Sequence, residues 1–99
     1  MTEQSVNVIA RMKAKQGKEK ALQQELAALI GPTRSEPGCI SYILHQSAED
    51  TTSFMFYEHW ADKKDLDEHL KKPYIQTFME KAGKLLDGPV SITLWEMIE

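Results

Sequence analysis

The sequence predicts an α+β domain of the ferredoxin-like, split βαβ class: an antiparallel sheet with helices on one face. Three observations carry this. Four segments alternate side chains with a period of two, other segments repeat apolar residues at helical spacing, and Gly- and Pro-containing breaks separate them. Their order along the chain is β-α-β-β-α-α-β. With 99 residues there is room for one domain, spanning 1–99.

The first strand covers Val6 to Met12, where Val6, Val8, Ala10 and Met12 alternate with Asn7, Ile9 and Arg11. Lys15-Gln16-Gly17-Lys18 breaks that pattern. A helix follows from Lys18, with Leu22, Leu26, Leu29 and Thr33 on its stripe and Ala21 and Ile30 widening it. The pattern lapses at Gly31-Pro32, although a last turn can run on to Ser35. Glu36-Pro37-Gly38 reads as a turn, since proline fixes φ and glycine tolerates positive φ.

The second strand, Cys39 to Gln46, sets Ile40, Tyr42 and Leu44 against Ser41, Ile43 and His45. After a hairpin loop at Ala48-Glu49-Asp50-Thr51 comes the third strand, Ser53 to Trp60. It carries Phe54, Phe56, Glu58 and Trp60 on one face, and Met55, Tyr57 and His59 on the other. Asp62 is the expected N-cap of a helix bearing Leu66, His69 and Leu70, with Asp65 completing the cap. Pro73 suits the first position of another helix, lined inwardly by Tyr74, Phe78, Ala82 and Leu85. Asp87-Gly88-Pro89 ends it, and a last strand runs from Val90 to Ile98.

Composition narrows the function. Hydrophobic residues make up 41% and charged residues 27%, an ordinary globular balance that argues against disorder. The formal charge of −3, without a basic cluster, speaks against a nucleic-acid partner. The lone Cys39 allows no internal disulfide, the start lacks a signal-peptide pattern, and no apolar run approaches the roughly 20 residues that span a bilayer. A cytoplasmic protein without a membrane partner is expected. The strands are apolar on both faces, more than helices on one face of a single copy can cover, so a homodimer packed sheet to sheet is predicted.

No Gly-rich phosphate loop is present. His45, His59 and His69 form none of the close groupings that zinc prefers, so no metal site is predicted. Cys39 sits beside a turn and reads as an inert packing group. What remains is an aromatic and polar group that several elements can bring together: Trp60, His69, Tyr74 and Phe78. Taken singly, Trp60, Tyr74 and Phe78 read as core. An imidazole among leucines needs a buried partner or a cavity, so His69 either lines a cavity or is a satisfied core histidine. Asn7, Arg11 and His45 are polar interruptions on strands, open to roles as dimer contacts, ligand contacts or solvent-facing groups.

Several stretches together resemble the antibiotic biosynthesis monooxygenase family, in the branch that includes quinol monooxygenases. They are Val8-Ile9-Ala10-Arg11 leading to Gly17-Lys18, then Glu36-Pro37-Gly38-Cys39, Phe56-Tyr57-Glu58-His59-Trp60, and Glu68-His69-Leu70 followed by Pro73-Tyr74. The resemblance implies a protomer whose sheet pairs with its partner's into a dimeric α+β barrel, with a pocket between sheet and helices. It further implies oxidation of a phenolic, hydroquinone or anthrone-like aromatic by molecular oxygen, with no cofactor. In that chemistry a deprotonated phenol is electron-rich enough to reduce oxygen directly, through a peroxy intermediate. The protein supplies a base, polar groups facing the developing oxyanion, and a dry slot.

On this reading the catalytic candidates are His69 as base, Trp60 as indole N–H donor and Tyr74 as donor or relay. Asn7, His45 and Phe78 are the candidate substrate contacts. Two departures qualify the likeness. Phe56 and Leu66 stand where the polyketide-oxidising branch carries an Asn and a Tyr. Met79 and Ala10 stand where haem-degrading relatives carry an axial His and an Asn, which disfavours haem degradation. The alternatives are a non-catalytic dimeric barrel that binds a small aromatic and, ranked below it, a haem-binding relative.

Overall fold

A computed structural model describes residues 5–99 of the chain. The alternating segments form a four-stranded, wholly antiparallel sheet from β1 (Val6–Lys13), β2 (Cys39–Gln46), β3 (Ser53–Trp60) and β4 (Ser91–Trp95), in the order β2-β3-β1-β4. That is the split βαβ order, with β3 inserted between the two strands that the first helical region connects. The helices are α1 (Glu19–Ala27), α2 (Ile30–Arg34), α3 (Lys63–Leu70) and α4 (Pro73–Ala82).

Where the sequence predicts one helix before the second strand, the structure has two. Proline lacks an N–H, so inside a continuing helix Pro32 would cost a hydrogen bond. Breaking the helix at Ala28 and Leu29 puts Pro32 in the first turn of α2, where N–H groups have no helical partner. The stripe survives the break: Leu22, Leu26, Leu29 and Thr33 are all buried.

Two strand details also differ from expectation. β2 has a register shift between Cys39 and Ser41, so Ile40 leaves the face of Tyr42 and Leu44 and is 56% exposed. β4 stops at Trp95 because its neighbour β1 begins at Val6; Trp95 pairs with Asn7, and the residues after Trp95 lie outside the sheet.

Val8, Ala10, Met12, Tyr42, Phe54, Phe56 and Trp60 point to the helices and are buried beneath Leu22, Leu26, Leu66, Ile75, Phe78 and Ala82. The inner stripe of α4 runs through Ile75, Phe78 and Ala82, with Tyr74 on its flank. The other face carries Ile9, Ile43, Tyr57 and Trp95, and no helix among the described residues covers it. Ile43 is 44% and Trp95 56% exposed.

Two contacts place the turn that precedes β2. Arg34 donates from Nε and Nη2 to the Tyr42 carbonyl at 3.2 and 2.9 Å, fixing the end of α2 to β2. The Ala61 N–H donates to the Gly38 carbonyl at 2.9 Å, and Gly38 lies so near Asp65 that a Cβ there would clash with the Asp65 side chain. Asp62 caps α3 as predicted, its Oδ1 accepting the Asp65 N–H at 2.9 Å. Glu36 is thereby held against α3. Among the described residues, no helix is long and apolar enough to cross a membrane.

Candidate active site

Period-two alternation on β3 sends Glu58 and Trp60 to the helix side of the sheet, and helical spacing on α3 sends His69 inward one turn after Leu66. His69 is 2% exposed and meets a partner. Its Nδ1–H donates to Glu36 Oε2 at 2.8 Å. A carboxylate only accepts, so Nδ1 carries the proton of this bond. The Tyr74 hydroxyl donates to the same carboxylate oxygen and lies 3.3 Å from Thr33 Oγ1. Glu36 thus ties α2, α3 and α4 together through one buried oxygen.

The His69 ring packs on the indole of Trp60, with centroids 4.7 Å apart, and meets the edge of Tyr42 at 5.7 Å. Tyr42 in turn stacks on Phe56 at 4.2 Å. The Trp60 Nε1–H donates to Glu58 Oε1 at 2.9 Å, beneath the helices. Burial pushes the Glu58 carboxyl up to about 7; the Trp60 N–H acts against this, and the negative charge of Glu36 adds to it. Burial likewise pushes Tyr42 well above the usual phenol range, with the Glu58 charge contributing. Tyr74 rises to about 12, through burial first and its bond to Glu36 second. The Cys39 thiol is raised by burial and then by Glu36 and Glu58, so it stays protonated, as suits a packing group.

Glu58, His69, Tyr42, Phe56, Phe78 and Met79 line a cavity of about 40 Å³ between sheet and helices. Such a space holds on the order of a few waters and is far below the roughly 300–1,000 Å³ of small-molecule pockets. Among the described residues, no three His, Cys, Asp or Glu side chains stand close enough to hold a metal ion.

Of the residues singled out from sequence, the structure brings His69, Trp60, Tyr74 and Phe78 together. Asn7 and His45 are not among them. Both lie on odd-register positions of the uncovered face, and the sheet separates them from the cavity. Asn7 is buried there and accepts the Tyr57 hydroxyl at 2.7 Å. His45 is exposed, with Nδ1–H donating to the Ile43 carbonyl at 3.1 Å. Sequence reasoning missed Glu36, absorbed into a turn, and Glu58. The signal for Glu58 was present, as an acid flanked by Phe54, Phe56 and Trp60 on an apolar face.

Fold and site together define a ferredoxin-like α+β protein with a buried carboxylate–imidazole pair beneath its helices. The antibiotic biosynthesis monooxygenase family matches residues 5–81, a span that holds every residue of this site, and the chain belongs to that family.

Among similar proteins, "Putative monooxygenase Rv0793" of Mycobacterium tuberculosis is 38% identical over 89 residues, covering 90% of this chain and 87% of its own length. "Uncharacterized protein sll1783" of a Synechocystis species is 36% identical over 92 residues, or 93% of this chain; the match spans 63% of that longer protein. Of solved structures, PA3566 from Pseudomonas aeruginosa superposes with a TM-score of 0.93 at 31% identity, covering 100% of this chain and 99% of its own. Rv0793 superposes with a TM-score of 0.89 at 35% identity, covering 96% of each chain.

Proposed function

We propose that this protein is a monooxygenase that oxidises a small quinol-like or phenolic aromatic with molecular oxygen, without a resident cofactor, as a cytoplasmic homodimer. The observation that carries the proposal is His69, held by Glu36 and backed by Tyr74, set against Trp60 at the wall of an aromatic-lined cavity. An imidazole with its Nδ1 proton anchored on a carboxylate presents Nε2 as a base. Proton removal from a substrate hydroxyl leaves an electron-rich anion that reduces oxygen directly. One oxygen atom enters the organic product and the other leaves as water, all electrons coming from the substrate. Family membership and the name of the Mycobacterium tuberculosis relative support a monooxygenase.

The cavity must widen to admit a ring. Met12 and Met79 are the linings best suited to give way, being unbranched, and Met79 is partly exposed. A homodimer is supported by the exposed Ile43 and Trp95 on the uncovered sheet face.

The test is oxygen consumption by purified protein against a panel of reduced quinols and anthrones, each corrected for autoxidation. A protein-dependent rate that collapses in His69→Ala is expected. No rate above autoxidation across the panel overturns the enzymatic reading. The smallness of the closed cavity favours one alternative, a non-catalytic barrel that binds a small aromatic. Saturable quenching of tryptophan fluorescence by quinols, without oxygen uptake, would establish it.

A further inference from the structure

Among the described residues Glu58 is the one carboxyl lining the cavity, and the roles assigned so far do not use it. It is an acid on the inner face of a central strand, 4% exposed, with apolar or aromatic neighbours on either side. Its cross-strand partners are Tyr42 on β2 and Val8 on β1. One of its oxygens accepts the Trp60 indole N–H, and nothing among the described residues donates to the other. The titratable groups facing it are Tyr42 and the Cys39 thiol from β2, Glu36 from the turn before β2, and His69 from α3. From α4 come only Ile75, Phe78 and Met79. Among the described residues no Lys or Arg is paired with it. A carboxyl kept here against its burial cost, and opening on the same cavity as His69, asks for a chemical use.

We propose that Glu58 is a second catalytic acid–base residue, which handles the protons of the oxygen atoms while His69 handles the proton of the substrate hydroxyl. This rests on the monooxygenase reading and deepens it. The protons of one turnover then close. Nε2 of His69 takes the hydroxyl proton, and the resulting carbanion-like ring carbon bonds to oxygen as a peroxide anion. The Glu58 carboxylic acid protonates the distal oxygen to give a hydroperoxide.

The Glu58 carboxylate then removes the hydrogen remaining on that carbon. Its electron pair forms the C=O bond as the O–O bond breaks. The departing hydroxide takes the proton held by His69 and leaves as water. Both residues end as they began, and the substrate has supplied every electron that reduced the oxygen. The environment suits this cycle, because a carboxyl raised to about 7 is populated in both forms at neutral pH. The Trp60 N–H fixes one oxygen and so orients the other.

The test is Glu58→Gln, which keeps the shape and an acceptor for the Trp60 N–H but transfers no proton. Wild type and variant are compared for oxygen consumption with a quinol that the wild type turns over, across pH 5–9. Phenolate absorbance of the bound substrate is followed under nitrogen. The expected result is a fall in kcat of roughly 100-fold or more with little change in KM. One limb of the pH profile should vanish, while the phenolate still forms anaerobically because His69 is intact. Glu58→Asp should recover part of the rate, and stands in should the Gln variant not fold.

Wild-type turnover retained in Glu58→Gln overturns the role of Glu58 alone. Loss of anaerobic phenolate in the variant also overturns it, assigning Glu58 to the first proton instead. Absence of turnover by the wild type overturns the monooxygenase reading, and this role with it.

Discussion

Glu58→Gln also makes a prediction that needs no substrate. Burial raises the Glu58 carboxyl from its ordinary value of 4.5 to about 7 in the folded protein. A raised acid contributes its full stability below the unfolded value and loses it as pH climbs through the folded one. The wild type therefore gives up stability between about pH 4.5 and 7, and by pH 8 carries the whole penalty of a buried carboxylate. At 1.36 kcal/mol for each unit of displacement, that penalty is on the order of 3 kcal/mol. Glutamine titrates nowhere in this range, so the variant escapes it.

The extra amide N–H₂ of glutamine adds an unpaired buried donor, a pH-independent cost of roughly 1–3 kcal/mol. The quantity to read is therefore the change with pH of the difference between the two proteins, in which every other titrating group cancels. Urea unfolding at fixed protein concentration, from pH 4.5 to 8.5, measures it. Relative to wild type, the midpoint of the variant should rise by about 1–3 M across that window. A difference that stays flat with pH would refute the argument, because it would mean the carboxyl is solvated well enough to ionise freely in the folded state.

Three further outcomes follow from the same geometry. Glu36→Gln removes the anion that holds the His69 Nδ1 proton and accepts from Tyr74, so kcat with a competent quinol should fall by roughly 100-fold or more, read with the oxygen electrode. Gly38→Ala should cost about 1–3 kcal/mol in chemical unfolding, because the new Cβ meets the Asp65 side chain, and Asp65→Gly in the same chain should return most of it. Ile43→Asp places a charge on the exposed sheet face. Light scattering should then show a monomer where the parent shows a dimer, with the circular dichroism of the fold unchanged.

Most of the fold was legible because a sheet with one covered face writes its register into the chain. Phe54, Phe56, Glu58 and Trp60 alternate without interruption, and β3 begins and ends where that alternation does. Reading failed where alternation is locally broken. An extra residue between Cys39 and Ser41 turns Ile40 outward, and only the pairing with β3 shows it. Similarly, the last strand is apolar through Ile98, but its length is set by where β1 begins, a property of another segment.

The site was half legible for a comparable reason. His69 announces itself as a polar residue on an apolar helical stripe, while its partner Glu36 lies 33 residues away in a turn whose proline and glycine explain the local sequence fully. Asn7 and His45 were attractive as polar groups on strands. Their odd register, visible in the same alternation, puts them on the far side of the sheet.

The two buried glutamates show how one small interior serves acid and base chemistry at once. Glu36 is met by two donors, the His69 Nδ1–H and the Tyr74 hydroxyl, and its oxygen is committed to orienting the imidazole. Glu58 is met by one donor, the Trp60 N–H, which does not offset its loss of water, so its carboxyl holds a proton near neutrality. The difference between one donor and two separates an anchoring residue from a proton-carrying one. Trp60 stands between them, its ring against His69 and its N–H on Glu58, so Trp60→Phe removes the only donor to Glu58 among the described residues while keeping the packing. That substitution should raise the Glu58 carboxyl further and move the neutral limb of the pH profile to higher pH. A profile unmoved by Trp60→Phe would show that the indole N–H does not set the protonation of Glu58.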